Sequence, residues 1–327
     1  MNISQDKRIL ETITKTYPNC KNISIQHEKV SLPMILIKSS IFGNKIISLP
    51  FMDVGYFSGK LDKKDIKNLS KTSAKLIKIK LNSFDNEYNK KINSLKKNGF
   101  LSIASKQQYI IPLEDPNKIW KNFHKHTRND IRKSEKSNLI LKNVLKRDEL
   151  KIFYKLYFKE MKRFGTPPHS FRFFENLLKI FKNDFFGMNC YKNNKIVASS
   201  LILIYQDYAY LWFNVSNPKF RKFRPNDLLY WSSINECFKR NIKLLDVGQI
   251  DIASKDKREQ GLSKFKQKWP GKVYDKIELF YYFDKKDKKN ENTTNKENLK
   301  KLRKIWALLP GFIIKFIGPK INSELGI

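Results

Sequence analysis

Between Phe185 and Val215 three long apolar runs, Phe185–Tyr191, Lys195–Tyr205 and Tyr208–Val215, follow one another with only Lys192-Asn193-Asn194 and Gln206-Asp207 between them. Breaks that short let each run fold back only onto its neighbour, and the Asn pair suits a tight hairpin turn. Three adjacent strands are therefore expected. Pro225 fits the first position of a helix running to about Arg240, and Lys243–Val247 then reads as a buried strand. A strand meander followed by helix and strand commits this stretch to a mixed α/β sheet.

The earlier part of the chain repeats the plan on a smaller scale. Short strand-like runs at Ile23–Gln26, Met34–Ile37 and Ile46–Leu49 are parted by turn residues that include Gly43-Asn44. A helix at about Lys63–Ala74 leads to Leu76–Leu81, where apolar residues alternate with Lys as on a half-buried strand. A strand pair is expected over Phe100–Leu113, then one long helix from Pro116 to Lys136. Helices at Asp148–Phe164 and Ser170–Phe181 precede the meander, and a last strand is expected at Val273–Phe283. The simplest organisation is two mixed α/β halves in tandem, 1–145 and 146–283. A charged linker, 284–298, and an amphipathic C-terminal segment, 299–327, follow them.

With 327 residues, 40% of them hydrophobic and 13% aromatic, the chain can bury one large or two ordinary cores. The formal charge of +35 sets up a field that attracts phosphate-bearing partners in a salt-dependent way. A lysine-rich solvated coat accounts for the bulk of that charge equally well. Cys20, Cys190 and Cys237 are odd in number and carry no CxxC pair, which argues against a disulfide framework or a zinc site. Met1–Leu10 lacks the apolar run of a signal peptide, and no apolar stretch is long enough to span a bilayer. The expected setting is cytoplasmic. In the C-terminal segment Leu302, Ile305, Trp306, Leu308, Leu309, Phe312, Ile313, Ile314, Phe316 and Ile317 lie among Lys and Arg, so it either docks on the protein or anchors peripherally at the inner face of an anionic membrane.

Chemistry leaves a faint trace. There is no GxSxG elbow, no GxxxxGK phosphate loop and no Cys with a His partner in context, which disfavours covalent catalysis. What remains is direct attack by a substrate group, aided by positioning and by charge at a developing oxyanion. On the helix expected at Pro116–Lys136, Lys121, Lys125, Arg128 and Arg132 form a basic stripe opposite Ile119, Trp120, Phe123, Thr127 and Ile131. That stripe is either a phosphate track or a solvated face. His124 and His126, two residues apart, diverge on a helix, so no metal site is expected.

Several motifs follow one another in a distinctive order. Ser48-Leu49-Pro50-Phe51-Met52-Asp53 matches the end of an N-terminal strand, and Thr127–Lys136 matches an Arg-Asn-x-x-Arg-Lys-x-x-Lys helix. Gly165-Thr166-Pro167-Pro168-His169-Ser170 with Phe173-Phe174, then Pro225–Trp231, Asp246-Val247-Gly248-Gln249 and the Phe265-Lys266 pair of a late loop follow in order. This ordered set resembles the FemAB family, and the likeness extends from about Ile23 to Phe283. FemAB members are built from tandem acetyltransferase-like folds and move an amino acid from aminoacyl-tRNA to the amine of a peptidoglycan precursor. The resemblance thus implies tandem GNAT-like (acyl-CoA N-acyltransferase-like) mixed-sheet halves and an acyltransferase.

It also implies roles. Lys266, beside Phe265, is the first candidate for a cation near the transferred acyl group; the alternative is a core Phe265 and a surface Lys266. Asp53 can accept a hydrogen bond from the acceptor amine or cap a turn. Among the acceptor-side candidates, His169 and Arg172 sit at a Pro-Pro turn where Ser170 capping explains the turn as well, and Tyr230, Asp246 and Gln249 complete the set. The phosphate-side candidates are Arg128, Arg132, Arg221, Lys222, Arg224 and Asn226. Acetyltransferases of this fold cradle the pyrophosphate of acyl-CoA in a loop of the type Arg/Gln-x-x-Gly-x-Gly/Ala; here the corresponding Arg221-Lys222-Phe223-Arg224-Pro225-Asn226 has neither glycine, and Pro225 removes an amide donor. No tightly bound cofactor is expected, and aminoacyl-tRNA or acyl-CoA would serve as cosubstrate. Three functions follow: aminoacyl or acyl transfer to a lipid-linked or nucleotide-linked cell-envelope precursor with tRNA as partner; acetyl transfer to an amino sugar; or non-catalytic binding of RNA or a membrane surface.

Overall fold

The computed structural model describes residues 2–284, 286, 287, 303 and 305–326. The expected linker at 284–298 therefore falls almost entirely outside the described residues. After a 3₁₀ turn at Ile3–Gln5 comes α1 (Lys7–Thr16), a helix not expected from the sequence. Its N-cap Asp6 accepts from the Arg8 amide, and Ile9, Leu10 and Ile13 form a single buried stripe. Five short strands follow: β1 (Cys20–Asn22), β2 (Ile25–His27), β3 (Val30–Leu32), β4 (Ile35–Ile37) and β5 (Lys45–Ile47). Then come β6 (Ser58–Gly59), α2 (Lys63–Ser70), β7 (Leu76–Asn82) and α3 (Tyr88–Lys97). Asp62 and Asp65 close a capping box that starts α2.

Two expectations for the next stretch are corrected. Phe100–Leu113 is one long strand, β8 (Leu101–Pro112), not a pair, because no turn chemistry interrupts it. The single helix at Pro116–Lys136 is two, α4 (Pro116–Asn122) and α5 (Lys125–Glu135). Phe123 takes an extended conformation there, and His124 caps α5 by accepting from the His126 amide. Burial of Phe123 against Trp231 and Trp269, at ring separations of 5.5 and 5.4 Å, favours the break over a continuous helix.

The chain continues through β9 (Ile140–Asn143), α6 (Arg147–Phe164) and α7 (Phe171–Phe181). The expected meander is present as β10 (Phe185–Lys192), β11 (Lys195–Tyr205) and β12 (Tyr208–Ser216), and Asn193 and Asn194 both take positive φ at its first turn. It leads to α8 (Pro225–Lys239) and β13 (Leu244–Ile250). The segment holding Phe265 and Lys266, expected as a loop, is the helix α9 (Lys257–Gln267), with Asp256 capping its start. β14 (Lys272–Tyr282) and α10 (Gly311–Leu325) complete the described elements.

Two compact units form, and they do not follow chain order. The meander unit is mostly Lys106–Glu160 and Leu177–Tyr274; the flanking unit takes Ser4–Ser105, Met161–Asn176 and the described residues from Asp275 onward. Tandem halves meeting at residue 145 do not describe this partition. The cause lies in strand pairing: β14, last in sequence, joins β7 in antiparallel register from Lys276↔Asn82 to Tyr282↔Leu76, and so belongs with the earliest strands.

The meander unit carries the strand order β8-β13-β12-β11-β10-β9, with β12 and β13 parallel and the other pairs antiparallel. Its core gathers Ile111, Ile131, Ile202, Leu229, Tyr230, Val247 and Trp269. The flanking unit carries β1-β4-β5-β7-β14, with β5 and β7 parallel, beside a small β2-β3-β6 sheet. Leu32, Phe57, Ile77, Ile79, Leu95 and Leu279 centre its core. In this unit α10 lies with Ile314 fully buried, and Asn322 donates to the Pro167 carbonyl at 2.9 Å. Both units are thus mixed α/β sheets carrying helices, the fold class expected from the strand and helix order.

Candidate functional site

In the meander unit the parallel ladder between β12 and β13 spans only Tyr208–Tyr210 and Leu244–Asp246. Beyond it β12 runs on to Ser216 and β13 to Ile250. Where parallel strands part at their carboxyl ends, main-chain groups on the facing edges become available to a ligand, and such places are the usual binding points of open α/β sheets. The divergence has a local cause. The register of β13 with β8 shifts between Asp246 and Gln249, and Gly248 sits at φ +81°. Asp246 holds this kink: its carboxylate accepts from the Gly248 amide at 2.7 Å, from Gln108 Nε2 and from the Tyr208 hydroxyl. Asp246, a candidate for binding an acceptor, is thus buried and fully occupied in shaping β13.

Lys266 stands next to this opening. Its side chain is buried near the end of α9, and Nζ donates to the Gln249 carbonyl at 2.9 Å. Phe265 packs edge-on against Tyr230 at 5.0 Å, and Tyr230 stacks on Trp269 at 5.3 Å. Lys266 thus meets Gln249 and Phe265 meets Tyr230, while the cation over the Phe265 and Trp269 rings is Lys268, at 4.8 and 5.6 Å. Burial raises the Tyr230 hydroxyl far above its usual range, so it stays protonated.

The α8 start differs from a phosphate cradle. Residues 218–223 form a 3₁₀ turn, and Arg224 takes a left-handed conformation, φ +58°, in which its carbonyl accepts the Asp227 amide at 3.1 Å. An internal anion already stands at this helix N-terminus. Asp227 pairs with Lys268, which also reaches Asp130 at 3.2 Å, and Arg224 pairs with Asp130 at 2.9 Å. Burial raises the Asp227 carboxyl, and Lys268 pulls it back only in part. Arg221 and Lys222 are exposed on the turn. Asn226 Nδ2 donates to Ser216 Oγ at 3.0 Å, while Oδ1 of Asn226 and of Asn214 are buried with no hydrogen-bond partner among the described residues. Such orphans are acceptors awaiting a donor.

The basic stripe dissolves on inspection. Arg128 spends its guanidinium on the carbonyls of Trp120, Lys121 and Phe123, closing the C-terminus of α4. Arg132 lies over the Trp120 ring at 5.6 Å.

In the flanking unit His169 is buried among Tyr17, Phe51 and Phe173, stacked on the last at 4.2 Å, and its Nδ1 meets the Tyr17 hydroxyl at 2.7 Å. Burial pushes its pKa down to about 3, so it stays neutral and structural rather than acting as a proton carrier near pH 7. Arg172 is exposed. Asp53 lies on the turn after β5, and its charge acts on a residue that the sequence reading missed, Lys80.

Lys80 is buried on β7 and donates Nζ to the carbonyls of Leu49 (2.9 Å) and Met52. Burial and the neighbouring Lys78 and Lys276 push its pKa down to about 7, against the pull of Glu278 and Asp53. Lys alternating with Ile on a strand read as a solvated face; here that face is covered. The three cysteines are buried, and burial lifts each thiol to about 12, which removes them as nucleophiles. Among the described residues no group of three or more His, Cys, Asp or Glu is placed to hold a metal ion.

Residues 121–259 match the acetyltransferase (GNAT) domain family, a span that contains β12, α8 and β13 and ends before Phe265 and Lys266. No curated protein matches the sequence. Among solved structures, FemX superposes with a TM-score of 0.65 at 15% identity, covering 90% of this chain and 94% of that one. L-PGS from Bacillus licheniformis gives 0.58 at 11% identity, covering 97% and 99%. The C-terminal domain of a putative lysylphosphatidylglycerol synthetase from Agrobacterium fabrum gives 0.59 at 9% identity, covering 89% and 92%. At these identities the structures establish a common fold. With the domain match, the chain is an acyltransferase, and the GNAT domains that residues 121–259 resemble use acyl-CoA as cosubstrate.

Proposed function

We propose that this acyltransferase moves an aminoacyl group from tRNA to the amine of a cell-envelope precursor, lipid-linked or nucleotide-linked. The observation that carries the choice of donor is the α8 N-terminus. An ordinary acyl-CoA enzyme leaves that helix end open for a pyrophosphate; here Pro225 removes an amide, and Asp227 and Asp130 with Lys268 and Arg224 fill the position with internal charge. The exposed Arg221 and Lys222 remain suited to a polyanion that approaches from outside.

In the proposed reaction the acceptor amine attacks the ester carbonyl of the aminoacyl group. The new C–N bond forms as the bond to the ribose oxygen breaks, and the amine proton ends on the departing hydroxyl. Aminolysis of an ester is downhill, so orientation and oxyanion stabilisation suffice. Lys266, held at the Gln249 carbonyl beside the strand divergence, supplies the cation. The buried Asn214 and Asn226 amide oxygens are acceptors for an ammonium on the donor, which an acetyl group lacks. By its name the similar lysylphosphatidylglycerol synthetase makes an aminoacylated lipid, which supports an aminoacyl donor.

Native purification at low and high salt, followed by mass spectrometry of the bound nucleic acid and small molecules, tests it. Enrichment of a particular tRNA at low salt is expected. Recovery of a CoA species without enriched RNA would replace this reading with acetyl transfer to an amino sugar.

A further inference from the structure

The three most exposed large apolar side chains among the described residues stand close together in sequence near the C-terminus: Phe316 (86%), Leu308 (84%) and Phe312 (76%), with Ile305 at 58%. Their exposure does not come from a loosely held helix. Along α10 the residues Ile314, Gly318 and Asn322, spaced by four, are buried, and a Cβ on Gly318 would meet Pro168 Cδ at 2.7 Å. Ser39 Oγ donates to Glu324 at 2.7 Å, and Lys45 Nζ donates to the Leu325 carbonyl at 3.1 Å, so the far end is fastened too. One side of α10 is thus committed to the flanking unit.

The other side of α10 presents Phe312, Lys315, Phe316 and Lys320, at helical spacing i, i+3, i+4 and i+8. Residues 305–308, also helical, add Ile305 and Leu308, and the exposed Arg303 precedes them. An apolar ridge with cations beside it is the pattern of an element lying in a membrane interface, where rings enter the acyl boundary and ammonium groups meet lipid phosphates.

We propose that this face of α10, with Arg303, Ile305 and Leu308, seats the protein on the surface of an anionic phospholipid bilayer. Charge selects this occupant over a second copy of the chain. At +35 two molecules repel, whereas an anionic leaflet attracts both the molecule and the lysines on this face. The contact is peripheral: α10 has 15 residues, and no described helix is long and apolar enough to cross a membrane. A second exposed apolar pair, Ile41 and Phe42, belongs to the loop that Glu324 holds, with Lys45 Nζ over the Phe42 ring at 5.6 Å. The inference stands apart from the acyl-transfer reading, because vesicle binding is read without turnover.

Co-sedimentation of the full chain with phosphatidylcholine vesicles, with and without phosphatidylglycerol, tests it. The wild type is expected to bind the phosphatidylglycerol vesicles and to be released as salt rises. Phe312→Ser with Phe316→Ser should weaken binding about tenfold or more, since both rings leave the interface. These side chains face solvent, so the melting temperature should hold. Lys315→Glu with Lys320→Glu, which leaves the apolar ridge intact, should also weaken binding and flatten its salt dependence. Equal binding by wild type and both variants overturns the proposal, as does wild-type protein that ignores phosphatidylglycerol. A dimer in light scattering that the Phe312→Ser, Phe316→Ser variant dissolves overturns it in favour of a second copy.

Discussion

Each unit contains a short parallel strand pair among the described residues, and the two pairs end differently. In the flanking unit the β5–β7 ladder runs from Lys45↔Leu76 to Ile47↔Lys78 and is then prolonged by side chains and turn amides. Ser48 N donates to the Lys78 carbonyl at 2.8 Å, Lys80 N donates to Ser48 Oγ at 3.0 Å, and Gly55 N returns to the Lys80 carbonyl at 2.9 Å. Lys80 Nζ holds Leu49 and Met52 beyond them. The strand end is closed by its own loop, which bends through positive φ at Leu49 and Phe51 to do so. In the meander unit the β12–β13 ladder stops after three pairs, Gly248 turns β13, and a buried lysine on a neighbouring helix comes to the strand end. The same topological device is sealed by its own loop in one unit, while in the other Asp246 and Gly248 bend β13 away and Lys266 reaches the Gln249 carbonyl.

The largest expected effect falls on the meander side. Lys266→Ala should lower transfer about 10² to 10³-fold, the usual cost of one oxyanion donor, with folding retained. Lys266→Arg should restore part of the rate if charge is what matters. Single-turnover assays with the donor identified by native mass spectrometry read both variants. Wild-type rates from Lys266→Ala would mean that the strand divergence is only architectural.

Lys80→Met asks whether the flanking pair is sealed as described. Leaving the Leu49 and Met52 carbonyls without their donor should cost about 2 to 3 kcal/mol and expose residues 49–53 to limited proteolysis. The pH dependence has a definite sign. The folded pKa of Lys80 is depressed to about 7 while the unfolded value is near 10.5, so the unfolded chain binds the extra proton between them. Stability should therefore rise with pH from about 7 to 10 in the wild type, and Lys80→Met should remove one proton's share of that slope in denaturant melts. An unchanged slope would place the buried charge elsewhere.

The first half of this contrast was beyond the reach of sequence reading for a physical reason. Lys78 and Lys80 alternate with Ile77 and Ile79 as they would on a strand with one wet face, and alternation cannot say whether other segments cover the polar side. The long elements were legible: the meander, α6, α7 and α8 fall within a residue or two of their expected bounds, because apolar period and the Asn193-Asn194 and Pro225 signals agree locally. Breaks decided by tertiary packing were not. Nothing local ends α4 at Asn122; the burial of Phe123 does. Likewise α9 was hidden by Gly261 and by its four lysine and arginine residues, although Asp256 stood ready as its cap. In the candidate site, motif order led to Phe265, Lys266, Tyr230 and Gln249, which meet. The basic stripe of Arg128 and Arg132 rested on helical period alone, and that helix is broken.

His169 offers a smaller test in the sealed unit. Its folded pKa lies near 3, below the ordinary value of 6.5, so as pH falls from about 6.5 the unfolded chain takes up a proton that the folded chain refuses. Stability should drop over that interval by one proton's slope, which His169→Gln should abolish. Tyr17→Phe, which removes the hydrogen bond to Nδ1, should cost about 1 kcal/mol at neutral pH. A wild-type acid slope that survives His169→Gln would show that this imidazole does not titrate as buried.

The smallest effect sharpens the open side. Arg221 and Lys222 stand exposed on the turn ahead of α8, while Arg224 and Lys268 are bound to Asp130 and Asp227. If only the exposed pair meets a polyanion, Arg221→Ala with Lys222→Ala should weaken RNA binding a few-fold and reduce the slope of log affinity against log salt by roughly 1 to 2. Asp227→Asn loosens the internal cluster and leaves the exposed pair in place, so it should change stability more than the salt slope. Fluorescence titration with bulk tRNA at several salt concentrations separates the two. A larger slope change from Asp227→Asn than from the double alanine variant would mean that the cluster at the α8 N-terminus opens to take phosphate after all, which would return acyl-CoA to first place as donor.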